Sequence, residues 1–181
     1  MNEFYYAADE KNIVSKISYK LSEMLEGELP IIVCIGTDAT IGDCLGPLCG
    51  TFIESKRKDL FVYGSLNKTV TAKEIRTMTS FIGKVHPRSK VLAIDAAVGR
   101  ASDVGSFKIS AAPIKPGLGA NKDLPAIGDV SIIAIISEKT KNNYDFMNMT
   151  RLSPVFGFAK IISDAILDYC DNATAADKMH A

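Results

Sequence analysis

An excess of charge of either sign is missing from this chain: its 181 residues carry 21 Lys and Arg against 21 Asp and Glu. No electrostatic field therefore points to nucleic acid or to an anionic membrane surface, and neither is expected as a partner. Long apolar runs are missing too, since none approaches the roughly 18 to 20 residues that a spanning helix needs. The opening stretch Met1-Asn2-Glu3-Phe4-Tyr5-Tyr6 lacks the basic-then-apolar order of a signal peptide, and the expected location is the cytosol. Histidine is scarce, with only His86 and His180, and the four cysteines Cys34, Cys44, Cys49 and Cys170 show no metal-type spacing. A zinc site is hard to assemble from these, so free thiols are expected. No Gly-Lys-Ser/Thr opens a helix and no G-x-G-x-x-G follows a strand, which removes the phosphate and dinucleotide folds marked by those loops, and no cofactor is expected.

What is present reads as one α/β domain over 1–181, a length sufficient for one proper core and short for two. Ile13, Val14, Ile17, Leu21, Met24 and Leu25 share a helical face over 11–26, and Gly27 stops the helix before Pro30. Ile31-Ile32-Val33-Cys34-Ile35 is an apolar run without polar alternation, the mark of a strand buried on both faces of a parallel sheet. A second helix follows from Asp43, with Leu45, Leu48, Cys49, Phe52 and Ile53 inward, and Leu60 to Tyr63 reads as a strand. Thr71-Ala72-Lys73-Glu74 is a capping box opening a third helix. Val91 to Ile94 repeats the buried-strand pattern and ends on Asp95; Gly105 to Ala111 and Val130 to Ile136 supply two more strands, and Pro154 to Tyr169 the last helix. The fold class is therefore a three-layer α/β/α sandwich with a mostly parallel central sheet. The tail 171–181 is polar and reads as frayed. Phe4, Tyr5 and Tyr6 suggest an arm at a subunit contact, which leaves a homo-oligomer open.

In such sheets ligands bind outside the carboxyl ends of the strands. Two acidic residues fall there: Asp43, in the loop Gly36 to Asp43 leaving the first apolar run, and Asp95, ending the third. Neighbouring strands would make the carboxylates face each other. Asp43, near a helix start, is expected to be ionised and to act as a base, and Asp95, after four apolar residues, to be desolvated and act as the acid. The plainer readings are a helix N-cap for Asp43, worth about 1 kcal/mol, a hydrogen bond to loop backbone for Asp95, and a turn residue for Asp38. Cys44 at the same helix start has no histidine partner, because His86 is expected at the opposite edge of the sheet. Pro113 to Pro125, rich in Gly and Pro, reads either as a substrate-facing flap that brings Lys115, Gly117 and Gly119 to a ligand, or as a sheet-edge crossover. Arg151, before the last helix, holds a carboxylate or peptide carbonyl in one reading and makes a surface salt bridge in the other.

Gly42-Asp43-Cys44-Leu45-Gly46-Pro47, taken with Ile94-Asp95-Ala96, Pro113 to Gly117 and Leu124 to Asp129, resembles the YyaC-type sporulation proteins over most of 30–165. Those are similar in turn to the spore germination protease and to hydrogenase maturation proteases, which share a three-layer α/β sandwich. The resemblance implies an aspartic-type peptidase acting on a peptide or small spore protein, with Asp43 and Asp95 at the two catalytic positions. Maturation enzymes add a histidine that holds nickel; after the last expected strand this chain has only His180, in the polar tail, so no metal is carried over. Arg151 and backbone N–H groups near Gly36 are the expected oxyanion donors. The competing functions are a non-catalytic sporulation factor that binds a peptide or protein terminus in the same cleft, and a metal-dependent hydrolase using Asp38 and Asp129 as further ligands.

Overall fold

The computed structural model describes residues 3–116, 124–139 and 150–180. Its core is one six-stranded sheet in the order β1-β5-β6-β4-β2-β3. The strands are β1 (Glu3–Ala7), β2 (Ile31–Cys34), β3 (Val62–Tyr63), β4 (Val91–Gly99), β5 (Ser106–Ser110) and β6 (Val130–Glu138). β3, β2, β4 and β6 run parallel, and β5 joins β6, and β1 joins β5, antiparallel. The fold class expected from the sequence is the one observed.

Among the described residues four helices flank the sheet: α1 (Ile13–Leu25), α2 (Leu45–Lys56), α3 (Ile75–Val85) and α4 (Leu152–His180). α1, α2 and α4 pack their buried Ile17, Leu21, Leu45, Ile53, Ile162 and Ile166 on one face, against Ile32, Ile94 and Ile132 of the sheet. α3 packs Ile75 and Ile82 on the other face, against Val33 and Ala93. β2 thus supplies side chains to both cores, which is why it reads as apolar without alternation. α1 ends as its sequence suggests, with Glu26 and Gly27 both in the left-handed region at φ 56 and 82. The capping box forms: Glu74 accepts the Thr71 backbone N–H at 2.9 Å and bonds its hydroxyl.

Two expectations are corrected, and one segment is newly placed: residues 3–7 form an edge strand on β5 in continuous register, from Glu3 opposite Ser110 to Ala7 opposite Ser106. The polar tail continues α4 to His180, held where Arg57 donates to Asp171 at 2.5 Å and where Ala173 is buried. Asp95 does not end its strand: β4 outruns β2 and continues to Gly99 beside β6, with a register slip between Ala97 and Val98. All four cysteines are free and buried. Among the described residues no helix is long and apolar enough to cross a membrane.

Candidate two-carboxylate site

β2 and β4 are paired neighbours, with Cys34 opposite Ile94 and the Ile35 N–H donating to the Ile94 carbonyl at 2.8 Å. Asp95 is therefore level with the point where β2 ends and the chain turns into the loop that carries Asp43. The loop is drawn tightly onto the strand end. Gly36, at φ +144, lies so close to the Asp43 carbonyl that a Cβ there would meet that oxygen at 2.0 Å, and a Cβ on Gly46 would meet the Ile35 carbonyl oxygen at 2.0 Å. Only glycine permits either approach. The Thr37 N–H closes the loop by donating to the Asp43 carbonyl at 3.1 Å. The Gly-x-x-x-Gly-Pro spacing of Gly42, Gly46 and Pro47 thus has a mechanical meaning: it seats the start of α2 against β2 and fixes Asp43 beside β4.

Asp43 lies in a 3-10 turn over Gly42–Cys44, and neither this turn nor α2 has a side-chain cap hydrogen bond. It is not an N-cap. Burial pushes its carboxyl above the ordinary carboxylate range, opposed by a backbone bond from Thr37, which corrects the expectation that the helix start would lower it. Asp95 is pushed well above that range, first by burial and then by the charge of Asp43, against a single lowering bond from the Ala96 N–H, 2.9 Å from Oδ1. As a residue Asp95 is half-buried. The two carboxyls therefore interact. The charge of Asp43 favours the protonated form of Asp95.

The other candidate residues separate. Asp38 is exposed in the same loop, close enough that its charge, after burial and the charge of Asp43, helps raise the Cys44 thiol. That thiol donates to the Ile41 carbonyl at 2.9 Å and is not activated. Because β5 runs antiparallel, the connection from β5 to β6 leaves and returns at the amino edge of the parallel strands. Its base is closed there by reciprocal bonds of 2.9 Å between Ile114 and Ile127. Lys115 is exposed at this base, and the structure does not bring it to the aspartates; Gly117 and Gly119 lie outside the described residues. Asp129 accepts the Val91 N–H at 2.8 Å, also at the amino edge, so it does not join Asp38 as a metal ligand. His86 is at that edge too, bonded to the Tyr63 hydroxyl at 2.9 Å. Among the described residues no group of three or more His, Cys, Asp or Glu converges to hold a metal ion. The Gly36 N–H donates to Val70 at 2.9 Å and the Thr37 N–H is used by Asp43, which removes both as oxyanion donors. Arg151 is exposed before α4, with no ion pair to either aspartate.

These features define a three-layer α/β protein with a coupled pair of carboxyls at the carboxyl edge of its parallel strands. The chain belongs to the family described as "Protein of unknown function (DUF1256)", whose model matches residues 5–165. It is 37% identical over 161 residues to the uncharacterized protein YyaC of Bacillus subtilis (strain 168), covering 88% of this chain and 78% of that protein. A solved structure similar to it is the [NiFe] hydrogenase maturation protease HycI from Thermococcus kodakarensis KOD1, at 15% identity and a TM-score of 0.45, over 82% of this chain and 99% of that one.

Proposed function

We propose that the protein is an aspartic-type endopeptidase acting on a peptide or small spore protein during sporulation. The observation that carries this reading is the placement of Asp43 and Asp95 together where paired β2 and β4 meet the loop into α2, with both carboxyls raised by burial and Asp95 raised further by the charge of Asp43. Such a pair presents a base and an acid at the same pH. Ionised Asp43 takes a proton from water as its oxygen adds to the peptide carbonyl carbon. Protonated Asp95 then gives its proton to the leaving nitrogen as the C–N bond breaks. The pair ends with one proton, now on Asp43, and its return to Asp95 restores the starting state. The likeness of the Gly42 to Pro47 segment to the germination-protease motif supports the same assignment.

The test is incubation of the full-length protein with an extract of small acid-soluble spore proteins, beside Asp43→Asn and Asp95→Asn variants, read by mass spectrometry. Discrete fragments from wild type, with rates lower by about 10² to 10⁴ in either variant, are expected. No cleavage between pH 4 and 8 by a correctly folded wild type would overturn the reading in favour of a cleft that binds a peptide terminus without cutting it.

A further inference from the structure

Side chains alternate along β4: Leu92, Ile94 and Ala96 enter the larger core, while Ala93 enters the smaller. Asp95 and Ala97 therefore project from the α3 side of the sheet. Strand register carries this face outward in rows. Asp95 is opposite Ile133, Ile133 opposite Lys108, and Lys108 opposite Tyr5; one row further on, Ala97 is opposite Ile135 and Ile135 opposite Ser106. α3 does not reach the outer strands, where Tyr5 is 52% exposed. Ala97, Ile133 and Ile135 floor a trough of 670 Å³ there, beginning at the cross-strand neighbour of Asp95. That volume lies within the roughly 300 to 1,000 Å³ typical of ligand clefts.

The rim carries cations, two of which have no ion pair among the described residues. Lys108 is bonded to Glu3 at 2.8 Å, and Asp103 accepts the Ser102 hydroxyl at 2.9 Å. Arg100 and Lys139, at the carboxyl ends of β4 and β6, have no ion pair among the described residues, although Glu138 shares their rim. The Lys139 N–H donates to the carbonyl of Gly99, the residue before Arg100, at 2.7 Å, which places both cations at one end of the trough.

We propose that this trough seats an extended peptide, with an aliphatic side chain on Ala97 and Ile133 and a peptide carboxylate on Arg100 and Lys139. The inference rests on the peptidase reading for its direction: the scissile bond lies at Asp43 and Asp95 and the chain runs along β4. At about 3.3 Å per residue the cations lie about five residues from the scissile bond, for strand and extended ligand alike.

The test uses full-length Asp95→Asn protein and fluorescein-labelled decapeptides of Ala, Leu and Ser carrying one Glu, read by fluorescence anisotropy. The Glu peptide should bind about fivefold tighter than its Gln counterpart, the size expected of a partly exposed ion pair, and Arg100→Gln with Lys139→Gln should abolish the difference. C-terminally amidated and free peptides identify whether a side chain or the chain terminus supplies the carboxylate. Equal binding of Glu and Gln peptides with either terminus, or a preference that survives in the double variant, overturns the proposal. Cleavage of the same peptides by wild type is a separate readout: binding with the stated preference but no cleavage keeps the trough and rejects the peptidase.

Discussion

A buried carboxyl whose proton is held by a neighbouring charge makes folding stability depend on pH in a definite direction. The folded pKa of Asp95 is raised above its unfolded value. Its contribution is therefore fully present below the ordinary carboxylate range and is lost as pH rises through the folded pKa, the reverse of a salt-bridged aspartate. Asp95→Asn keeps the Oδ1 acceptor for the Ala96 N–H and removes the ionisation. Its melting temperature should match wild type near pH 4 and exceed it at pH 8, with the gap opening between; thermal unfolding by circular dichroism across that range checks this, and a constant gap would contradict it. The positions of both aspartates were legible in the sequence because a carboxylate after four apolar residues, and another in a Gly-rich loop after a buried strand, are both placed by topology. The sign for Asp43 was not. Its environment is set by how tightly the loop is pressed onto β2, a distance that no local pattern records.

At the scale of elements, the start of α2 is where backbone closeness does the positioning. Gly46→Ala puts a Cβ 2.0 Å from the Ile35 carbonyl oxygen, and backbone rather than a flexible side chain must move. The expected cost is about 1 to 3 kcal/mol, with a parallel loss of any activity that depends on Asp43. Gly83 in α3 is the control. Its Cβ would meet nothing within 4 Å, so Gly83→Ala should stabilise by about 0.5 to 1 kcal/mol through helix propensity alone. Urea unfolding of the two variants beside wild type measures both signs, and a neutral Gly46→Ala would show that the loop is not pinned as described. Periodicity located α1, α2, α3 and the central strands because each has a strong apolar face. It missed β1, whose Glu-Phe-Tyr-Tyr-Ala sequence has no buried run, and the last turns of α4. Those turns are held by Arg57 and by the burial of Cys170 and Ala173, contacts made from elements far away in the chain.

For the molecule as a whole, the two ends of the sheet are unequal. β3 closes one edge with only two strand residues, whereas β1 lies on the other edge along all five residues of β5. β1 is also bound from its side chains, where Glu3 pairs with Lys108 at 2.8 Å and Lys20 of α1 lies 3.8 Å over the Phe4 ring. Deleting residues 1–7 would leave the outward N–H and C=O groups of β5 unpaired on an otherwise complete sheet, a template for another chain. The shortened protein should therefore melt lower and gain mass with concentration by light scattering, while full-length protein under the same conditions keeps its mass. The direction matters, because a subunit-contact arm makes the opposite prediction: its loss would break an oligomer apart and lower the mass. A truncated protein that stays at the full-length association state would show instead that β5 is protected by something other than β1. A rise in mass would place the first strand among the elements that complete the fold.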